Sequence, residues 1–180
     1  TKRLYRFKKD VAATGLVDID SFSRIRIQGK RAMLTTSYMP AQNFPKSFVL
    51  QVQDDAHYIS SSLKSSWINK QQDNLYEIRI PSEEKGIFSI QFAIEESEAA
   101  GGFAVLLPQI KNNNGKEGDF VLEEPDDGQI TLVGKSLVQD IPIARLSGQL
   151  VQVADKDKFY MHISSRETLQ LTIKRFNAVS

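Results

Sequence analysis

Apolar side chains recur at every second position along several short segments, and the clearest of these is residues 87–94. The apolar positions that share one face there are Phe88, Ile90, Phe92 and Ile94. A period of two is typical of a half-buried β-strand, because a helix would scatter these side chains around its axis. Residues 75–80 alternate in the same way, and the break at 81–86 contains proline and glycine. The pattern predicts a central β-hairpin made of these two segments.

Other segments repeat this pattern at short intervals. Residues 22–28 and 31–36 alternate on either side of Gly29 and Lys30, which predicts a second hairpin. In residues 47–53 and 169–173, the alternation predicts one inward face per strand. The inward positions in these two strands are Phe48, Leu50, Val52, Leu169, Leu171 and Ile173.

The remaining segments complete an all-β pattern. Further strands are predicted at 2–9 (an edge strand), 103–110, 120–122, 129–133, 141–146, 149–153 and 159–163. Residues 112–118 are predicted to be an exposed turn or hairpin loop, and 95–100 to form at most one helical turn. Turn signals about every 8–12 residues are the signature of a sandwich or barrel. We expect one antiparallel β-sandwich domain over residues 1–180, jelly-roll-like or immunoglobulin-like, with about ten strands.

The composition excludes several classes of protein. Hydrophobic residues make up 41% of the chain and charged residues 25%, as in an ordinary globular domain. There is no cysteine, so disulfides, thiolate zinc sites and thiol nucleophiles are excluded. The longest apolar runs are far shorter than the roughly 20 residues of a membrane-spanning helix.

Charge is unevenly distributed along the chain. Residues 1–50 carry a balance of +7 and residues 51–100 a balance of −5. The positive charge includes a basic edge on the second hairpin, formed by Arg24, Arg26, Lys30 and Arg31. Such an edge can meet an acidic partner or phosphates. The other interpretation, which we favour, is that basic and acidic strands lie side by side and compensate one another.

Residues suited to catalysis are few. The only histidines are His57 and His162, and His162 is expected on the solvent side of its strand. His57 follows Asp54 and Asp55, a combination that can bind a metal or transfer protons, although a turn after a strand also explains the two aspartates. The chain has no nucleophile elbow, zinc-protease helix, phosphate loop or dinucleotide fingerprint, so an enzyme is disfavoured. A hydrolase using a carboxylate pair remains an alternative.

Two loops are candidates for a structural calcium ion. They contain the carboxylate pairs Asp18 with Asp20, and Asp155 with Asp157. A calcium site takes about six to eight oxygens, and each loop supplies only two carboxylates. We therefore predict no cofactor, with calcium as the alternative.

The only tryptophan lies in a segment rich in serine and amides. Trp67, Tyr58, Asn69 and Gln71 are the candidate ligand-binding residues, because aromatic faces beside hydroxyls and amides suit a sugar or a peptide. The alternative, which we favour for Trp67 itself, is that the ring anchors the segment in the core, since tryptophan is highly buried on average.

These observations favour a non-catalytic binding or adhesion module of a secreted, periplasmic or cell-surface protein. The expected ligand is a carbohydrate or a protein rather than a nucleic acid. The alternative is a cytoplasmic or assembly-related interaction domain that docks an acidic partner or nucleic acid through its basic N-terminal third.

Overall fold

A computed structural model describes most of the chain. The described residues are 16–40, 45–72, 74–81, 86–97, 101–133, 138–140, 158–162 and 167–176. The predicted strands at 2–9, 141–146 and 149–153 lie outside these ranges, as do Asp155 and Asp157.

Most of the described residues lie in strands. In chain order these are β1 (Ile19–Gln28), β2 (Arg31–Pro40), β3 (Ser47–Gln51), β4 (His57–Ser61), β5 (Ile68–Lys70), β6 (Leu75–Arg79), β7 (Phe88–Glu95), β8 (Gly102–Val105), β9 (Gln109–Ile110), β10 (Asp119–Leu122), β11 (Gly128–Val133), β12 (Val138–Asp140), β13 (Lys158–His162) and β14 (Leu169–Arg175). One 3-10 helix, Ser65–Trp67, precedes β5.

The strands form three sheets. The largest has seven strands in the order β12-β13-β10-β1-β2-β7-β4, and the others have the orders β5-β6-β3-β9 and β11-β14-β8. The strand pairs of the described residues are antiparallel except for β1 and β10, which run parallel. The prediction of an all-β, antiparallel sandwich is confirmed.

Two hydrophobic clusters join the layers of the sandwich. In the first, Leu34 and other large-sheet residues pack against the three-stranded sheet, and in the second, Phe92 and its neighbours pack against the four-stranded sheet. Leu34 and Phe92 are direct cross-strand partners on β2 and β7, so their side chains lie on the same face of the large sheet. Both small sheets therefore cover one face of the large sheet, side by side.

Alternation predicted the buried faces correctly. The predicted inward residues of β3, β7 and β14 are buried, apart from Ile173, which is half-buried against the first cluster. The β1–β2 hairpin is also confirmed, with Gln28 opposite Arg31 across a two-residue turn. Gly29 has a φ of 59° in this turn, which glycine adopts without a steric penalty.

The predicted central hairpin is wrong. Leu75–Arg79 pairs with β3 and β5 in the four-stranded sheet, whereas Phe88–Glu95 pairs with β2 and β4 in the seven-stranded sheet. Both segments are strands, but the chain crosses from one layer to the other between them. Period-two alternation reports which face a strand buries, not which strand lies beside it.

The predicted exposed turn or hairpin loop at 112–118 is a loop in which Asn112, Asn114 and Lys116 are exposed, but it is not a hairpin. It links β9 and β10, which belong to different sheets, and it is fastened to the start of β1. The Asn113 amide accepts a hydrogen bond from the Ile19 N–H at 3.0 Å and donates to the Ile19 carbonyl at 2.8 Å. Gly115 lies so close to the Ile19 backbone that a Cβ there would overlap it.

The helical turn predicted at 95–100 is not formed by its described part. Glu95 ends β7, and Ser97 bridges to Gly102. Residues 98–100 lie outside the described ranges.

Candidate functional site

An edge of the seven-stranded sheet and an edge of the four-stranded sheet lie side by side where the chain passes from β4 to β5. Within the described part of the chain, β4 is an end strand of the seven-stranded sheet and β5 is an end strand of the four-stranded sheet. The 3-10 helix joins them. We call this surface the β4–β5 edge; its residues are Tyr58, Ile59, Lys64, Trp67 and Lys70.

Tyr58 packs between the two layers of the sandwich. Its ring lies 6.1 Å from that of Phe92 in an edge-on arrangement, and 6.5 Å from that of Tyr76 on the opposite sheet. Burial raises the pKa of Tyr58. This candidate ligand-binding residue is half-buried and packs β4 onto the second hydrophobic cluster.

Trp67 is half-buried and packs against the same cluster. The Lys64 Nζ lies 5.4 Å from the centre of its ring, within the range of a cation–π interaction. The interpretation of Trp67 as an anchor is therefore supported, and the ring also holds a cation. The three-residue spacing of Lys64 and Trp67 was the available sequence signal, since a 3-10 helix aligns side chains three apart.

Asn69 and Gln71 do not converge with the aromatic rings. Ile68 of β5 faces the cluster, and successive side chains of a strand point to opposite faces. Asn69 and Gln71, one and three positions later, therefore lie toward the other face of the small sheet. Both are exposed, and the Gln71 amide donates to Glu77 Oε2 at 3.1 Å. The structure therefore brings together Tyr58 and Trp67 among the four candidates.

Lys70 completes the edge. Its cross-strand partner on β6 is Tyr76, whose ring contacts Tyr58, so Lys70 is placed beside the gap between the layers. Residues 56–72 contain this lysine and Lys64 but no aspartate or glutamate. The β4–β5 edge is thus aromatic, rich in hydroxyls and positively charged.

The basic edge has a different character, because its arginines form ion pairs within the fold. Arg24 and Arg26 both pair with Glu123, and the Arg26 Nε to Glu123 Oε2 distance is 2.5 Å. Arg31 pairs with Glu95, its cross-strand partner, at 2.7 Å. Lys30 lies in the turn, where its carbonyl accepts the Glu96 N–H at 2.9 Å. This geometry supports charge compensation between neighbouring strands.

Glu123 is the centre of that compensation. Burial by itself would raise the pKa of the Glu123 carboxyl, but hydrogen bonds and charge from Arg26 and Arg24 outweigh this effect and lower it. The Glu123 side chain is 16% exposed and that of Arg24 is 21% exposed, so the pair is largely shielded from water. Its role in the structure is to join β1 to the end of β10.

The residues considered for metal binding or acid-base chemistry lie apart or in turns. Asp54 and Asp55 form the turn before β4, and Asp55 Oδ1 accepts a hydrogen bond from Gln53 at 2.6 Å. His57 is exposed on β4. Asp20 Oδ1 accepts the Lys116 N–H at 2.7 Å.

Among the described residues, no three His, Cys, Asp or Glu side chains are grouped so that they can hold a metal ion. No helix in the described ranges is long and apolar enough to cross a membrane.

Comparisons with known proteins give a distant structural likeness. No protein family and no curated protein matches the chain. The M1 zinc metallopeptidase from Deinococcus radiodurans is 10% identical with a TM-score of 0.41, over 87% of this chain and 42% of that one. Legionella pneumophila aminopeptidase A in complex with aspartic acid is 10% identical with a TM-score of 0.41, over 89% of this chain and 22% of that one. The chain thus spans less than half the length of either protein.

Proposed function

We propose that this chain is a non-catalytic binding module that recognises a protein or carbohydrate ligand at the β4–β5 edge. The observation that carries the proposal is the arrangement of two adjoining sheet ends with half-buried aromatic rings and two lysines, in a stretch without acidic residues. Exposed ends of this kind provide backbone groups, hydroxyls and positive charge for a ligand.

The ion pairs of the basic edge support this choice of surface. The arginines there already have carboxylate partners, so a ligand would have to break pairs within the fold before binding them. Lys64 instead lies over an aromatic ring, and none of the ion pairs among the described residues involves Lys64 or Lys70. A ligand carboxylate or sulfate can approach these two lysines without displacing any of the described acidic side chains.

Screening with the intrinsic fluorescence of Trp67 tests the proposal, because it is the only tryptophan in the chain. The native protein is titrated with glycan and peptide collections, and each ligand that changes the emission is tested again with Lys64→Gln and Lys70→Gln. Lys111→Gln is the matched control, since Lys111 is an exposed lysine beyond β9. We expect binding that weakens in the first two variants and not in the control.

The proposal fails if ligands bind equally well to all three variants. It also fails if binding is lost instead on removing Lys30, which would move the site to the basic edge. Circular dichroism of each variant verifies that the β-sheet structure is retained.

A further inference from the structure

We infer that the ligand of the β4–β5 edge is an extended, acidic peptide segment of another protein, which adds to the large sheet beside β4. Its carboxylates contact Lys64 and Lys70. This inference rests on the proposed function, because it specifies the ligand of the same surface.

β4 has an open side. It pairs with β7 on one side, and within the described residues no strand lies on the other. His57, Ile59 and Ser60 are exposed along it. The outward N–H and C=O groups of an end strand form a row of donors and acceptors that another extended backbone can complete.

Ile59 gives this edge an apolar contact point. The register of β4 with β7 shifts between Tyr58 and Ser60, so Ile59 is an extra residue in the ladder and is 39% exposed. Such a bulge bends the strand and limits regular pairing to a short segment. The edge is therefore suited to a short peptide with an apolar side chain rather than to a long strand.

Charge selects an acidic partner. Lys64 follows the end of β4, Lys70 lies opposite Tyr76, whose ring contacts Tyr58 near the start of β4, and no carboxylate occurs anywhere in residues 56–72. The ammonium of Lys64 is already held 5.4 Å from the Trp67 ring centre, so it loses less conformational freedom when a carboxylate arrives. A second copy of this chain is disfavoured as the occupant, because it would bring the same lysines face to face.

A peptide fits this edge better than a glycan does. Stacking of a sugar needs an open aromatic face, whereas Trp67 packs on the core and carries Lys64 above it, and Tyr58 is packed among other rings. The side of β4 that no described strand covers is complemented directly by another backbone. The structural features thus favour main-chain pairing combined with charge recognition.

The test uses a short blocked peptide of alternating glutamate and valine, carrying a fluorescent label for anisotropy. Three other probes accompany it: a lysine–valine peptide, a glutamate–valine peptide N-methylated at alternate amides, and a heparin oligosaccharide. We expect saturable binding of the glutamate–valine peptide that weakens with added salt. N-methylation should weaken it by about tenfold or more, since it removes the donors that pair with β4 and also obstructs close approach of the strands.

Variants of the protein locate the binding. Lys64→Gln should weaken the glutamate–valine peptide by roughly two- to fivefold, the range expected for one exposed ion pair. Lys111→Gln should leave the affinity unchanged. Trp67 emission should change on binding to the native protein, because the cation above the ring is drawn toward the peptide.

Four outcomes overturn the inference. They are equal binding of the N-methylated peptide, equal binding of the lysine–valine peptide, no difference between Lys64→Gln and Lys111→Gln, and Lys64-dependent binding of heparin without binding of the peptide. The last outcome leaves the proposed function standing with a glycan as the ligand. If none of the probes binds in a way that depends on Lys64 or Lys70, the peptide inference and its proposed surface both fail.

Discussion

Replacing Glu123 by glutamine removes the negative charge that Arg24 and Arg26 share. The Glu123 and Arg24 side chains are only 16% and 21% exposed, whereas Arg26 is 56% exposed. Hydrogen bonds to a charged group contribute roughly 1.5–3 kcal/mol each when shielded, and an exposed one contributes less. Because glutamine retains part of the hydrogen bonding, we expect Glu123→Gln to lower the free energy of unfolding by about 1–3 kcal/mol.

The matched control is Glu95→Gln. The pair that Glu95 forms with Arg31 is 47% and 52% exposed, so its loss should cost about 0.2–1 kcal/mol. Urea unfolding followed by Trp67 emission at neutral pH measures both variants against the native chain. The two variants should differ even though each removes one carboxylate that faces arginine.

The pH dependence of the free energy of unfolding gives a second test of Glu123. The pKa of Glu123 is lowered in the folded protein, so its stabilisation is present above the ordinary carboxyl value of 4.5 and is lost as the pH falls through the lower folded value. The difference between the native chain and Glu123→Gln should therefore shrink in acid. If Glu123→Gln costs no more than Glu95→Gln, or if its cost is independent of pH, the basic edge is not held together as we describe.

Three further variants test the fold. Burial raises the pKa of Glu117 despite hydrogen bonds from the Ile110 N–H and from Asn113. The folded protein therefore binds the carboxyl proton of Glu117 more tightly than the unfolded chain does. The free energy of unfolding falls as the pH rises above the ordinary carboxyl value of 4.5. Glu117→Gln retains an acceptor for the Ile110 N–H but cannot titrate, so its free energy of unfolding should depend less on pH in urea titrations. The same pH dependence in the variant and the native chain would contradict this prediction. Gly115→Ala should cost about 1–3 kcal/mol in urea unfolding, because its Cβ would overlap the start of β1, and a neutral result would refute that close packing. Phe92→Ala should cost about 3–5 kcal/mol by thermal or urea unfolding, since the buried ring contacts aromatic rings in both layers, and a loss below about 1 kcal/mol would show that the second cluster does not join them.

Sequence alternation identified the strands and their buried faces more reliably than their partners. The faces of β3, β7 and β14 follow from a period of two, and Gly29 marks a short turn, so these features are encoded locally. The placement of Leu75–Arg79 and Phe88–Glu95 in different sheets is not encoded locally. It depends on long-range pairing with β2 and β3, which alternation does not specify.

The candidate site was predictable only in part, because it also combines local features with long-range strand pairing. Trp67 and Tyr58 could be singled out as aromatic residues in a polar segment, and both lie at the β4–β5 edge. The adjacency of β4 and β5 required the sheet order, and the position of Lys64 over Trp67 required the 3-10 helix. Asn69 and Gln71 were grouped with the rings by closeness in sequence, but strand alternation places them toward the other face of the small sheet.

Amide hydrogen exchange of the native chain, with and without the glutamate–valine peptide, tests the central claim most directly. Binding at the β4–β5 edge predicts slower exchange within His57–Ser61 and around Lys64, with the β1–β2 turn at Gly29 unchanged. Protection confined to that turn and the arginines of the basic edge would contradict the account, as would peptide binding that leaves the β4 amides exchanging at their free rate.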